Sequence, residues 1–137
     1  MTAQPDNIHT LIPYLTCKDA ASAIDFYSRT FGATEIERIV EDDGRIGFAA
    51  LQIGDSRLML SDEFPEIQVY GPAHYGGSPV AINIYLATDA EIESLVEQAI
   101  KAGMTVLRPL TDADNMIRNT VMRCPYGHRW FITRRWW

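Results

Sequence analysis

The stretch "IPYLTCKDAASAIDFYSRTFGA", residues 12–33, decides the fold. Residues 9–17 are mostly apolar and β-branched or aromatic, and read as a buried strand. At Lys18 the period changes. Ala20, Ala23, Ile24, Tyr27 and Phe31 recur at steps of three and four, which puts them on one face of a helix over 18–32. Asp19 is placed to cap the start of that helix, and Gly32 to end it in a left-handed turn.

Three strands are expected next, over 33–41, 45–53 and 56–62, with Asp43-Gly44 and Gly54-Asp55 as the turns between them. Residues 63–79 hold three prolines and three glycines without a period and read as a loop. Then the order repeats. A strand is expected over 80–87 and a helix over 89–103, with Ile92, Leu95, Val96, Ala99 and Ile100 on its apolar face. Strands over 104–110, 115–124 and 128–135 follow. At a shift of 71, Tyr14 meets Tyr85, Leu15 meets Leu86, Ile24 meets Leu95, Gly32 meets Gly103 and Ile36 meets Leu107. At a shift of 73, Gly54 meets Gly127 and "SRLML" meets "RWFIT". The expectation is an α+β chain, 1–137, of two βαβββ modules (9–62 and 80–135) joined by the 63–79 loop. One such unit leaves its curved sheet with an open edge and an uncovered face. Pairing two units closes the sheets around a cleft.

Composition narrows the rest. With 137 residues, 47% apolar and 22% charged, the chain can bury a core of ordinary size. No apolar run reaches the roughly 20 residues that span a bilayer. The first residues lack the basic-then-apolar pattern of a secretion signal and read as a frayed end. The net charge of −6 and the absence of a basic stripe argue against a nucleic-acid partner. The acidity would weakly favour a cationic ligand, although solubility alone commonly accounts for it. Cys17 and Cys124 lie far apart in no CxxC spacing, which gives no zinc site and no disulfide framework. Each reads as a buried thiol with no base near it in sequence, and a reducing, cytoplasmic setting fits. Gly76-Gly77 has no following lysine or helix start, so it is no phosphate cradle.

"IPYLTCKDAASAIDFYSRTFGA", "DGRIGFAALQIGDSRLML" (43–60) and "CPYGHRWFI" (124–132) resemble the vicinal oxygen chelate superfamily, and within it the PhnB-like branch of glyoxalase/bleomycin-resistance proteins. The resemblance runs from about residue 10 to 134. It implies curved mixed sheets around a cleft, and a divalent ion held there by His, Gln or Glu and acting as a Lewis acid on two substrate oxygens. The positions it assigns to the ligands hold Ile12, Ile82 or, one off, Asn83, and Phe131. The branch's His and Glu two residues apart on the third strand are Phe48 and Ala50 here. Neither an isoleucine nor a phenylalanine can donate a lone pair, so no metal and no cofactor is expected. His9, His74 and His128 are scattered. A set of His74, Asp62 and Glu63 at the loop edge has no recognisable spacing.

The resemblance therefore points to the branch members that hold an antibiotic in a metal-free groove between two subunits. On that reading the chain is a homodimeric binding protein, not an enzyme. It would sequester a hydrophobic, partly aromatic small molecule, such as an antibiotic or other natural product. Tyr14, Phe48, Tyr85, Phe131, Trp136 and Trp137 would stack on the ligand, Met116 would supply an adaptable wall, and Asn83 and Arg118 the polar contacts. Met116 can equally fill core, and the terminal tryptophans can pack on the chain itself, on a partner subunit or on a ligand. Alternation along the last strand sends Phe131 and Thr133 to one face and Trp130 and Ile132 to the other; the resemblance turns Phe131 toward the cleft and Trp130 under a helix. The alternatives are a metal-dependent lyase, isomerase or dioxygenase with displaced ligands, and a structural domain whose cleft is filled by its own aromatic side chains.

Overall fold

The structure, a computed structural model, describes residues 9–112 and 117–134. The chain divides after Gly71 into two compact units. Each is one four-stranded mixed sheet with one helix.

In the first unit, β1 (Tyr14–Cys17) leads into α1 (Ala20–Phe31), followed by β2 (Thr34–Val40), β3 (Ile46–Ile53) and β4 (Ser56–Asp62). The sheet order is β1-β4-β3-β2, with β1 parallel to β4 and the other pairs antiparallel. The strand expected over 9–17 shortens to four residues because Pro13 has no N–H for the ladder, although its carbonyl accepts from Met59 N–H at 2.9 Å. Asp19 caps α1 by accepting from Ser22 N–H, and Gly32 closes it at φ 70°. Leu15, Cys17, Ala49, Leu51, Leu58 and Leu60 are buried on the helix side, under Ala23, Ile24, Phe26 and Tyr27 of α1.

The second unit repeats this with β5 (Ala81–Leu86), α2 (Asp89–Ala102), β6 (Thr105–Arg108), β7 (Arg118–Arg123) and β8 (Arg129–Arg134), in the order β5-β8-β7-β6. Thr88 caps α2, and Gly103 ends it in a left-handed turn. β6 stops at Arg108 because Pro109 follows. Trp130, Ile132, Met122 and Thr120 are buried on the helix side with Ile92 and Ala99. Ile100, expected on the apolar face of α2, is half exposed.

The 63–79 stretch is shaped rather than slack. It contains two short 3-10 helices, Pro65–Ile67 and Pro72–Tyr75. Arg45 ties the first of them to the first unit, bonding Glu66 at 2.6 Å and lying 4.1 Å over the Phe64 ring. Among the described residues, no helix is long and apolar enough to cross a membrane.

Candidate functional site

Each sheet has one face covered by its helix and one face that is not. Two contacts fix which is which. In the first unit, Asp62 Oδ1 accepts from Ala20 N–H at the start of α1 (2.7 Å), so the parity of Asp62, Leu60 and Leu58 faces the helix. In the second, Asp89 of α2 accepts from Arg118 at 3.0 Å and from Arg134 at 2.7 Å, so their parity faces the helix.

On the helix-free face of the first sheet lie Tyr14, Phe48, Ala50, Met59 and Arg57. The Tyr14 and Phe48 rings are 6.3 Å apart and tilted by 42°, and the Tyr14 hydroxyl donates to Gly47 O at 3.2 Å. Tyr14 stands directly beside Met59 across the parallel pair. Sequence reasoning passed over Met59, although the alternation of "SRLMLSD" already sets it apart from Leu58 and Leu60. Tyr14 keeps half its surface, 50%.

On the helix-free face of the second sheet, the cross-strand row Asn83–Phe131–Val121–Arg108 joins all four strands. Thr133 donates to Asn83 Oδ1 at 2.8 Å, which orients the amide. Tyr85 stands beside Thr133 and is 49% exposed. The geometry thus groups Tyr14 with Phe48, and Asn83 with Tyr85 and Phe131. Trp130 is buried on the α2 side of β8. Met116, Trp136 and Trp137 lie outside the described residues.

Arg118 does not join them. It sits on the opposite, helix-covered face, where it bonds Glu93 at 2.9 Å as well as Asp89 and Thr111 O. The Arg118 and Arg134 guanidiniums hold the Asp89 carboxyl below the usual carboxylate range, Arg118's hydrogen bond contributing most. Strand alternation along "RNTVMR" sets Arg118 on the opposite face from Asn119 and Val121. The wrong step was assigning the arginine to the open side, where Asn119 and Val121 stand beside Thr133 and Phe131.

The positions that the resemblance gives to metal ligands do not fit an ion. Ile12 and Phe131 carry no donor. Ile82 points to the helix side while Asn83 faces Phe131. Phe48 and Ala50 share the first helix-free face. Among the described residues, no three His, Cys, Asp or Glu side chains gather in a way that could hold a metal ion. The loop-edge set has other engagements: Asp62 accepts the Ala20 and Ile46 N–H groups, Glu63 accepts from Gly71 N–H, and His74 packs edge-on against Tyr75.

The expectation that Cys124 has no base nearby is corrected. His128, four residues on, returns across the turn with Nδ1 4.0 Å from Cys124 Sγ. The i, i+4 spacing in "CPYGH" was the available signal. Both groups are buried, at 2% and 7% exposure, and burial pushes the His128 pKa down to about 4. Burial therefore favours the neutral imidazole, which faces the Cys124 sulfur away from solvent.

The family model described as the Glyoxalase/Bleomycin resistance protein/Dioxygenase superfamily matches residues 8–132. An uncharacterised protein of Mycobacterium bovis is 37% identical over 125 residues, covering 89% of this chain and 80% of its own. One of Mycobacterium tuberculosis is 37% identical over 125 residues, with coverage of 89% and 72%. Among solved structures, TioX from Micromonospora has a TM-score of 0.70 at 22% identity, covering 93% of this chain and 98% of its own. The PhnB protein of Bacillus cereus has a TM-score of 0.72 at 16% identity, with coverage of 93% and 100%. The fosfomycin resistance protein FosX of Mesorhizobium loti has a TM-score of 0.66 at 15% identity, with coverage of 90% and 89%. At these identities the solved structures speak for the fold alone.

Proposed function

Since the chain belongs to the glyoxalase/bleomycin resistance protein/dioxygenase superfamily, we propose that it is a binding protein that works without a metal. Its ligand is a hydrophobic, partly aromatic small molecule, of the kind represented by antibiotics and other natural products. The ligand lies in an apolar cleft at the interface of a homodimer, which is the working form. Sequestration requires no bond to be made or broken.

One observation carries the reading. The position where the resemblance implies a metal-binding glutamate is Phe131, which lies on a helix-free face beside Asn83 and near Tyr85. A benzyl side chain there offers area and a π face, and no lone pair. Tyr14, Phe48 and Met59 give the first sheet a face of the same character. Aromatic and thioether side chains are the groups that hold flat apolar ligands with little directional demand.

The test pairs elemental analysis of protein purified without added metal with tryptophan fluorescence titration against planar aromatic antibiotics. The expected result is no stoichiometric zinc, nickel, manganese or iron, and saturable quenching by at least one planar drug. Phe131→Ala should weaken that binding about tenfold, the order expected for losing one buried aromatic contact. Stoichiometric metal would move the reading to a metal-dependent lyase, isomerase or dioxygenase.

A further inference from the structure

The strands of the second unit contain no aspartate or glutamate, but they carry five arginines. Two of them, Arg118 and Arg134, are held on the helix side by Asp89 and Glu93. The other three, Arg108, Arg123 and Arg129, belong by strand parity to the helix-free face that also carries Phe131 and Asn83. Among the described residues, none of these three is in an ion pair with a carboxylate. Arg108 is occupied by the Asn119 side chain and by the carbonyls of Asn119 and Pro109.

Arg123 and Arg129 are differently placed. They stand directly opposite one another across the antiparallel β7–β8 pair. Like charges at directly opposed positions work against the sheet. The Arg129 Nε is buried and, among the described residues, has no hydrogen-bond partner. A guanidinium N–H taken out of water and left unanswered carries a desolvation cost. Both features are unfavourable in the free protein, and both are relieved by the same thing, an oxyanion seated between the two forks.

The charge distribution makes this arrangement stand out. The first 71 residues hold 12 of the 18 acidic residues and five of the 12 Lys and Arg, a net of −7; the remaining 66 hold six and seven, a net of +1. The acidic surplus that seemed to favour a cationic ligand lies entirely in the first unit.

We infer that the helix-free face of the second sheet takes a ligand with an oxyanion group, a carboxylate or its like, joined to an aromatic or apolar body. The anion lies on Arg123 and Arg129, and the body on Phe131, one strand position along from Arg129 on the same face. Arginine presents paired N–H donors that match two oxygens of one carboxylate. This inference rests on the proposed binding function and names the chemistry of its ligand.

The experiment is isothermal titration calorimetry at low salt with two matched probes, 1-naphthoate and the neutral 1-naphthamide. The expected result is naphthoate binding roughly tenfold more tightly, from one charge-assisted pair. Arg129→Gln should abolish that preference while leaving naphthamide affinity in place, and Phe131→Ala should weaken both probes alike. In the ligand-free protein, Arg123→Gln should raise the melting temperature, which also certifies that the variant folds. Equal affinity for the two probes would overturn the anion assignment and leave the binding proposal standing. Binding of neither would overturn both. If Arg123→Gln and Arg129→Gln change the sedimentation mass without changing naphthoate affinity, the arginines hold a second copy of the chain and the ligand assignment is wrong.

Discussion

His128 shows how much a single turn residue can govern. Its imidazole is buried against Cys124, so the charged form is disfavoured and its pKa falls from 6.5 to about 4. The unfolded chain therefore binds a proton that the folded chain refuses. Above about pH 6.5 neither state is protonated and stability is unaffected. Between there and pH 4, stability should drop by about 1.4 kcal/mol per pH unit from this group alone. Urea melts of the wild type and of His128→Gln at pH 7 and pH 5 test it: the variant should lose less on acidification. Asp62 is the other residue of this weight. Its two oxygens accept from Ala20 and Ile46 N–H, both at 2.7 Å, which joins the start of α1 to the start of β3. Asp62→Ala leaves two backbone donors unanswered and should cost about 2–4 kcal/mol in the same assay. The spacing in "CPYGH" hints at the Cys124–His128 pairing, but neither the burial of His128 nor the double acceptance by Asp62 was legible from sequence. A strand-end aspartate and a turn histidine look like solvent-facing residues until the chain folds back over them.

At the scale of elements, the repeat was legible and its register was not wholly so. The shift of 71 holds from the helix ends to β7, whereas the helix starts, Ala20 and Asp89, stand 69 apart because α2 is two residues longer than α1. It sets Gly32 against Gly103 at the helix ends and Ile36 against Leu107, and both of the latter fall where the ladder slips by a residue, the mark of a bulge. The shift of 73 for the last strand is replaced by 72. Leu58 and Leu60 face α1 as Trp130 and Ile132 face α2, and the one-residue difference is absorbed by a longer turn before β8. Matching the two turn glycines misled, because a one-residue slip inverts every face. Turn glycines also differ in surroundings. Gly44 and Gly127 both sit at φ 90°, but a Cβ at Gly44 meets nothing within 4 Å, whereas one at Gly127 would lie 2.9 Å from Pro72 Cβ. Gly44→Ala should cost about 1–2 kcal/mol from the left-handed backbone alone. Gly127→Ala should cost about 1–3 kcal/mol more, because the proline ring must shift as well. Chemical denaturation of the two variants side by side reads the difference directly.

For the molecule as a whole, charge is divided unevenly, and binding should report both parts of that division. An anionic probe far from the surface meets a net charge of −6; once seated it meets arginines. Raising ionic strength from about 0.01 to 0.15 M shortens the screening length from about 30 to 8 Å. The association rate of naphthoate should therefore rise, because long-range repulsion is screened, and its dissociation rate should rise too, because the local pairing weakens. Stopped-flow fluorescence separates the two. An association rate that fell with salt would mean that the probe senses the basic sheet from the start. Composition alone could not reveal this, since a single net charge averages two halves of opposite sign.

At a shift of 72, Asp62 at the end of β4 corresponds to Arg134 at the end of β8, and each meets the first turn of its own helix. The polarity of that joint is reversed between the halves: a strand carboxylate answers a helix N–H in one, and a strand cation answers a helix carboxylate in the other. Repeated modules can misassemble by exchanging equivalent strands during folding. Here a borrowed β8 would leave the Ala20 and Ile46 amides without an acceptor, and a borrowed β4 would set Asp62 against Asp89. The joint at the end of the last strand is thus specific to each strand's own helix.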